Sequence, residues 1–435
     1  MEYQKIKRQF LTPKEILPLL QLNRFIANGD DRRLSNIQTI SDLRKLAKRR
    51  TPAGPFNYVD GGADGEITMN RQEEFLNSIE FQPNVLRDVS RTSLKTDLFG
   101  TMHSLPIGFA PTGFMRMSHT LGEKAVANSA ARHDIPFALS TMGTTSISDL
   151  SDAVPHGTKW FQLYLWKDRD RSRELIQEAK KHGYEALILT VDVPVAGNRL
   201  RDKVHGMTIP PSLTAKTFLD ASYRPHWWIN FLTTSPLSFA FTSADETRSM
   251  KELVADLYDC SVTFDDLNWI REEWDGKLII KGIQTLPDAV RSFESGADAI
   301  ILSNHGGRQL DRAPLVMELL PKVREALGPK PVIMVDSGFR TGADIVAALA
   351  LGADFVWIGR PYLYGLMAAG EKGVDKVVEI LTSEIERTLK LLGVASIAEL
   401  SEDAVRIRSI PEPINRAGDF DSSTVSHETI PNRAF

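Results

Sequence analysis

One unit recurs eight times along the chain: a short apolar run, a polar or glycine-bearing turn, and then an amphipathic stretch with helical spacing. Runs of about five to seven mostly apolar residues are typical of strands that are buried on both faces of a parallel sheet. Eight strand–helix units are the number that closes a barrel, so the sequence predicts an α/β protein with a (β/α)8 TIM-barrel fold. A doubly wound open sheet is the alternative, but no Gly-x-Gly-x-x-Gly motif follows a first strand. The predicted strands are Leu105–Pro111, Pro136–Ser140, Trp160–Leu165, Ala186–Asp192, Lys277–Gly282, Ala299–Asn304, Pro331–Ser337 and Phe355–Gly359.

The spacing of the runs is broken once, after the fourth predicted strand. About 85 residues separate Asp192 from Lys277, which is far more than one helical crossover needs. Long insertions of this kind are typically lids or binding loops, so residues 194–276 are predicted to form an excursion on the catalytic face of the barrel. Its aromatic cluster around Trp227, Trp228 and Phe231 either packs internally or contacts a membrane. The predicted organisation is a charged N-terminal extension (1–40), the barrel with its excursion (41–409) and a polar tail expected to be disordered (410–435).

Charge and cysteine content exclude several classes of function. Lys and Arg number 52 and Asp and Glu number 56, which gives a formal net charge of −4 and no chain-wide basic surface for nucleic acid. Cys260 is the only cysteine, so the chain forms no intrachain disulfide and no thiolate metal cluster. No secretory signal or membrane-spanning segment is predicted, since Asp354 and Arg360 interrupt the most apolar stretch, Ile345–Gly370. We expect no resident metal and a cytoplasmic location.

Polar residues at the carboxyl ends of the predicted strands suggest a cofactor site, because these ends form the catalytic face of such a barrel. The last two strands are followed by glycines and arginines, and exposed backbone N–H groups with guanidinium groups suit a phosphate. Amide and hydroxyl side chains after the second, third and fourth strands suit the edge of a planar heterocycle. A phosphorylated ring cofactor is therefore predicted. The phosphate candidates are Gly338, Arg340, Gly359 and Arg360, and the ring candidates are Ser140, Gln162 and Thr190.

A second group of strand-end residues suggests the substrate. Two arginines with a tyrosine form a receptor for a carboxylate, because guanidinium groups bind carboxylates through paired hydrogen bonds. A histidine that titrates near neutral pH is a candidate general base, and a nearby carboxylate would stabilise its protonated form. A purely structural histidine is the alternative, but the Ser-Asn and Gly-Gly-Arg-Gln that flank it favour a functional role. The residues are His305, Asp192, Arg199, Arg308, Tyr58 and Tyr164.

The segment Ser303–Gln309, Ser-Asn-His-Gly-Gly-Arg-Gln, resembles the active-site signature of the FMN-dependent α-hydroxy acid oxidase and dehydrogenase family. The similarity runs from about Thr39 to about Leu400. Within the family, the chain is most similar to the bacterial quinone-linked L-lactate dehydrogenases. The stretches that carry the similarity include 44–52, 110–113, 143–147, 160–164, 190–192, 227–234, 281–282, 309–314, 336–338 and 358–361.

The resemblance implies FMN-dependent oxidation of L-lactate to pyruvate, with the electrons passed to quinone. It implies that His305 is the general base with Asp192 as its partner, and that Tyr164 contacts the substrate oxygen. Arg199, Arg308 and Tyr58 would bind the carboxylate, and Lys281 would lie beside the N1/C2 carbonyl edge of the flavin. The residues implied to frame the isoalloxazine are Pro111, Thr112, Gly113, Ser140, Gln162 and Thr190, and those implied to hold the ribityl phosphate are Ser303, Asp336, Gly338, Arg340, Gly359 and Arg360.

Substrate and acceptor have alternatives. Mandelate or another 2-hydroxy acid is one, since Met142 leaves the pocket apolar and adaptable. An oxidase that uses O₂ and gives hydrogen peroxide is another, although Gly113 stands where the oxidases of the family carry alanine. A barrel without activity that serves as a binding protein is the third. The family further implies a homotetramer, and the excursion implies a peripheral contact with the inner face of the cell membrane.

Overall fold

Eight parallel strands close into a barrel at the places where the apolar runs predict them. The computed structural model describes residues 11–17, 26–207, 219–220, 222–241 and 250–408, and the predicted tail at 410–435 lies outside these residues. Each strand pairs in parallel with the next along the chain, and the last pairs with the first, which confirms the (β/α)8 prediction. The strands are β1 (Ile107–Phe109), β2 (Phe137–Ser140), β3 (Lys159–Leu163), β4 (Ala186–Thr190), β5 (Lys277–Ile283), β6 (Ala299–Leu302), β7 (Val332–Val335) and β8 (Phe355–Ile358).

The uninterrupted apolar runs are explained by burial on both faces of each strand. Alternate residues point into the barrel, where Trp160 and Trp357 pack with ring centroids 4.9 Å apart among Ile188, Ile279 and Ile301. The residues between them point outward into the layer of helices. That outer core contains Phe161, Leu163, Leu187, Leu189, Leu278, Ile280, Ile300, Leu302, Ile333, Val335, Val356 and Ile358.

Helices surround the barrel, and several begin at a side-chain cap that the sequence supplies. Thr39, Thr285 and Thr341 each accept a hydrogen bond from the backbone N–H three residues later. The described helices are α1 (Pro13–Ile16), α2 (Gly29–Leu34), α3 (Ile40–Arg50), α4 (Ala53–Asp60), α5 (Ile67–Asn77), α6 (Met115–Ser118), α7 (Gly122–Arg132), α8 (Ile147–Ala153), α9 (Arg169–Lys181), α10 (Leu200–Val204), α11 (Pro225–Leu232), α12 (Met250–Leu257), α13 (Asp266–Glu273), α14 (Leu286–Glu294), α15 (Val316–Leu327), α16 (Gly342–Ala350) and α17 (Arg360–Leu392). None of the helices in this part of the chain is long and apolar enough to cross a membrane.

Among the described residues, two short antiparallel ladders lie outside the barrel. Thr96–Leu98 pairs with Thr101–His103, and Leu98 packs into the interior core, so this hairpin covers one end of the barrel. Ile79–Phe81 pairs with Val405–Ile407 in the register Ile79 to Ile407. The second ladder joins the end of the described chain to the segment that precedes the barrel.

The long excursion predicted after the fourth strand is present between β4 and β5, and its described parts include α10 to α13. Its last helix, α13, belongs to the outer layer, because Leu267 and Ile270 are buried in the outer core. Ion pairs of 3.2 Å from Arg169 to Asp266 and from Arg173 to Glu273 join α13 to α9. Residues 266–273 therefore act as the helix of the fourth barrel unit. The predicted excursion, 194–276, includes this helix, because the spacing of the apolar runs alone does not distinguish a barrel helix from an insertion.

Candidate active site

One cavity opens at the carboxyl ends of the barrel strands and brings most of the predicted site residues together. The structure also adds residues that the sequence did not single out for the site, among them Tyr258, Val193, Phe339 and Leu363. Within the described chain, no group of His, Cys, Asp and Glu is arranged to hold a metal ion. The predicted residues that line the cavity are Tyr58, Pro111, Thr112, Gly113, Ser140, Tyr164, Arg199, Lys281, His305, Arg308, Asp336, Gly338, Arg340, Gly359 and Arg360.

His305 is held by a turn directly after β6. Its backbone has φ of +58°, and its N–H donates to the Ser303 hydroxyl at 3.0 Å. The Nδ1 atom lies 3.1 and 3.2 Å from the two carboxylate oxygens of Asp192. Because a carboxylate only accepts hydrogen bonds, Nδ1 carries the proton in the neutral ring and Nε2 is left as the acceptor. His305 lines the cavity, and its Nε2 is the ring nitrogen that can accept a hydrogen bond or a proton.

Asp192 keeps its charge although its side chain is buried. Burial acts to raise the pKa of this carboxyl, but His305 and Lys281 outweigh burial and hold the pKa below its usual range. The carboxylate is therefore ionised near neutral pH and is placed to stabilise a protonated His305.

Two arginines converge on one tyrosine ring. The guanidinium carbons of Arg199 and Arg308 lie 5.3 and 5.0 Å from the centroid of Tyr58. Arg308 also donates to the backbone carbonyls of Tyr58 and Gly61, and burial together with Arg199 lowers its pKa. Both arginines line the same cavity, and two guanidinium groups in one cavity favour the binding of an anion there.

Besides Tyr58, Tyr164 and Tyr258 line the cavity. Burial, with a contribution from the charge of Asp192, raises the pKa of Tyr164 well above its usual value, so its hydroxyl stays protonated. Burial likewise raises the pKa of Tyr258, which lies just after α12 in the excursion. The sequence did not single out Tyr258, because a tyrosine inside a long excursion follows no barrel strand and carries no positional signal.

Lys281 forms a buried ion pair at the end of β5. Its Nζ lies 2.9 Å from an Asp336 carboxylate oxygen and 2.9 Å from the Ser303 hydroxyl. Burial acts to lower the pKa of Lys281, but Asp336 and Asp192 outweigh it, so the pKa is raised and the side chain is an ammonium. Ser303, which the family resemblance implies as a phosphate ligand, is fully buried and does not line the cavity. Its hydroxyl accepts hydrogen bonds from Lys281 and from the His305 N–H, and its contact with the phosphate stays a prediction.

The segments that follow the last two strands line the cavity with glycines and arginines. A Cβ added to Gly359 would meet no protein atom within 4 Å, so this glycine leaves room beside the first residue of α17. Arg360 donates to the carbonyls of Val59, Gly61 and Gly306 at 2.7 to 2.9 Å, which leaves two of its five N–H donors. Burial, with repulsion from Arg340, lowers the pKa of Arg360 to about 9.

The polar atoms around the cavity fit a planar heterocycle. Ser140 donates to Oε1 of Gln162 at 2.9 Å, and this fixes the amide so that Nε2 points away from Ser140. Within the described residues, Gln162 Nε2 and Thr190 Oγ1 are buried without a hydrogen-bond partner. Buried polar groups in native proteins are normally paired, so these two atoms are candidates for a partner that the chain itself does not supply. Gln162 does not line the cavity, and its contact with the ring stays a prediction. Thr190 lines a neighbouring cavity rather than this one, and its contact with the ring stays a prediction.

Comparison with known proteins identifies this cofactor. The family model for FMN-dependent dehydrogenases matches residues 47–407. A Mycobacterium tuberculosis (strain H37Rv) protein provisionally named an L-lactate dehydrogenase is 51% identical over 91% of this chain and 95% of its own length. The (S)-mandelate dehydrogenase of Pseudomonas putida is 40% identical over 85% of this chain and 93% of its own length. A crystal structure of a monotopic membrane protein, (S)-mandelate dehydrogenase, has a TM-score of 0.83 at 39% identity and covers 86% of this chain and 100% of its own.

The chain belongs to the family of FMN-dependent dehydrogenases. It is an FMN-dependent 2-hydroxy acid dehydrogenase, which confirms the family, the enzyme class and the cofactor predicted from the sequence.

Proposed function

We propose that this enzyme oxidises L-lactate to pyruvate, with His305 as the general base, and passes the electrons to a quinone. The observation that carries the proposal is the convergence of Arg199 and Arg308 on Tyr58 in the same cavity as the His305–Asp192 pair. A carboxylate held by the two guanidinium groups would bring its 2-hydroxyl group toward the basic nitrogen of His305. The names of the relatives support lactate, because the relative that is 51% identical carries an L-lactate dehydrogenase name.

Each residue has a defined part in this reaction. When bound, FMN supplies the acceptor for the two electrons that leave the substrate. Nε2 of His305 takes a proton from the substrate, and Asp192 stabilises the imidazolium that results. The protonated Tyr164 hydroxyl donates to the substrate oxygen. The Lys281 ammonium lies on the cavity wall, where a positive charge stabilises the reduced ring.

The substrate is tested by anaerobic mixing of the FMN-loaded enzyme with L-lactate, D-lactate or (S)-mandelate. We expect L-lactate to bleach the visible absorbance of FMN fastest and D-lactate to leave it unchanged. With the carboxylate held by the arginines and the hydroxyl group held by His305 and Tyr164, the hydrogen and the methyl group on the same carbon exchange places between the two enantiomers. A short-chain quinone should then restore the absorbance faster than air does. Faster bleaching by mandelate would contradict the choice of substrate, and faster recovery in air with peroxide would contradict the choice of acceptor.

We further propose that α11 is the site of a peripheral membrane contact, and that the enzyme encounters its quinone acceptor at that membrane surface. The helix is attached to α6 on one side, since Trp227 Nε1 donates to the Met117 carbonyl at 3.0 Å. Within α11, the Trp227 ring stacks on Phe231. On the other side, Ile229 and Leu232 are 61% and 71% exposed. An apolar helix face held at the surface is typical of interfacial membrane binding.

The Ile229→Asp/Leu232→Asp double variant is expected to lose most of its flotation with vesicles of bacterial polar lipids. Two carboxylates on the inserted face would have to leave water, which opposes insertion. Leu391→Asp is the matched control, because Leu391 is 72% exposed and lies in α17, away from the excursion. Equal flotation of all three proteins would contradict the contact. The homotetramer implied by the family stays a prediction, which light scattering can test.

A further inference from the structure

The β4 loop, residues 191–199, carries Asp192 at its start and Arg199 at its end, where α10 begins. Its first residue, Val191, still donates its N–H to the Lys281 carbonyl of β5 at 2.9 Å. The pairing of β4 with β5 does not extend further along the loop. Contacts other than strand pairing must therefore hold the Asp192 carboxylate in its place opposite the base.

The side chain of Gln309 supplies such contacts. Its Oε1 accepts the N–H of Gly197 at 3.1 Å, and its Nε2 donates to the carbonyls of Val195 at 2.9 Å and of Asp192 at 3.3 Å. The amide thus uses its acceptor and both of its N–H groups on the β4 loop. Because Gln309 follows His305 by four residues, one side chain connects the loop that carries Asp192 with the turn that carries His305.

The backbone of the β4 loop also lies directly against this turn at Gly197. A Cβ at this position would overlap the carbonyl oxygen of Arg308 and would lie 2.9 Å from Cα of Gln309. The close approach therefore requires a residue without a side chain. It keeps the loop and the turn together independently of the Gln309 amide.

The far end of the β4 loop is anchored in another way. Nε of Arg199 lies 3.3 Å from a carboxylate oxygen of Asp202, and both side chains are mostly buried. In the same helix, α10, Arg201 forms ion pairs with Asp60, at 3.0 Å, and with Glu66. These ion pairs hold the end of the loop, so the amide that bonds its earlier residues bears mainly on the start.

We propose that Gln309 is a positioning residue for the reaction, and that its amide holds the β4 loop where the Asp192 carboxylate faces His305. The inference rests on the proposed function, in which His305 is the general base. The distances of 3.1 and 3.2 Å between Nδ1 and the two carboxylate oxygens depend on where the loop places Asp192. Gln309 lines the cavity, but its oxygen and both N–H groups already bond the loop, so it acts through Asp192 and not on the substrate.

The first experiment compares Gln309→Met with the unaltered enzyme, both loaded with FMN, in anaerobic mixing with L-lactate. Methionine is unbranched and of similar length but has no amide, so the β4 loop loses three hydrogen bonds. We expect the limiting rate of FMN reduction to fall about 10- to 100-fold, because small displacements misalign the reacting groups. The lactate concentration that gives half of this rate should change less than about threefold, since Arg199 keeps its own ion pair.

Gln177→Met is the matched control. The Gln177 amide donates to Glu273 at 3.3 Å between α9 and α13, away from the cavity. This variant should change neither the limiting rate nor the lactate concentration for half of it. An unchanged limiting rate in Gln309→Met would overturn the proposal.

A double-mutant cycle tests whether Gln309 acts through Asp192. Asp192→Asn should itself slow the reduction of FMN. In that background, Gln309→Met should cost no more than about twofold, because the carboxylate that the amide positions is already gone. A residue that only stabilises the fold would cost the same factor in both backgrounds, so equal factors would overturn the proposal.

Gly197→Ala displaces the β4 loop by a second route and leaves the Gln309 amide in the chain. The added Cβ must push the loop away from Arg308, so the limiting rate should fall here too, at an FMN content equal to that of the unaltered enzyme. Normal limiting rates in both loop variants, together with a slow His305→Gln, would overturn this inference alone. A normal rate in His305→Gln would instead overturn the proposed base, and the role of Gln309 with it.

Discussion

Replacing His305 by glutamine should slow the reduction of FMN by L-lactate by about 10² to 10⁴-fold, the range that positioned general bases contribute. The glutamine amide is of similar length and can donate an N–H to Asp192, as Nδ1 does now at 3.1 Å. It has no basic nitrogen to take the proton of the substrate. Stopped-flow measurement of flavin bleaching at saturating lactate isolates this step from the reaction with the acceptor.

His156→Gln is the control for this substitution, because His156 is exposed and lies outside the cavity. It should bleach at the normal rate. Equal FMN content and equal midpoints of thermal unfolding would show that the two variants are folded. An unchanged rate in His305→Gln would remove His305 from the mechanism and leave the family assignment intact.

Replacing Lys281 by methionine should lower the free energy of unfolding by about 3–5 kcal/mol, because the substitution leaves the buried carboxylate of Asp336 without its partner. The pair is 2.9 Å long, and the two side chains are only 5% and 10% exposed. The double variant Lys281→Met/Asp336→Leu should regain most of the loss, since it removes the unpaired charge as well. Urea unfolding, measured with and without added FMN, separates this effect from the stability that the cofactor supplies.

An exposed ion pair of similar length provides the control. Lys390 and Glu386 are 2.7 Å apart, and their side chains are 42% and 44% exposed. Lys390→Met should cost only about 0–1 kcal/mol, because solvent screens the pair. Equal losses for Lys281→Met and Lys390→Met would mean that the buried pair contributes no more than a surface pair.

The barrel could be predicted because its strands are buried on both faces, and this requirement fills positions such as Trp160, Phe161 and Leu163 with apolar residues in succession. The same pattern hides which strand residues point into the barrel, and that direction decides what a strand end can touch. Ser303 is the example: it lies in the segment that resembles the active-site signature, and its hydroxyl accepts hydrogen bonds from Lys281 and from the backbone N–H of His305, which the sequence does not show. Because both faces of the strand are buried, the sequence lacks the alternation of polar and apolar residues that would have shown which way each side chain points.

Residues outside the strand–helix units were harder to predict. Tyr258 reaches the cavity from the excursion, where no repeated pattern sets the path of the chain. The position of Arg360 after the last strand predicts a phosphate ligand, which stays a prediction, but it does not show that three of its N–H groups donate to backbone carbonyls. Those acceptors lie about 54 and 300 residues away along the chain, so no local pattern in the sequence relates them.

The carbonyl contacts of Arg308 and Arg360 have a consequence for the kinetics of ligand capture. Both side chains reach across to the segment Tyr58–Gly61, so the arginines are fixed by the fold itself and need no ligand to set their rotamers. When a substrate carboxylate binds, the ligand loses its own freedom of motion, but these arginine side chains lose little conformational entropy because they are already ordered. Association with substrate should then follow a single step without a slow rearrangement at these residues, and a lag in binding would have to arise in the excursion.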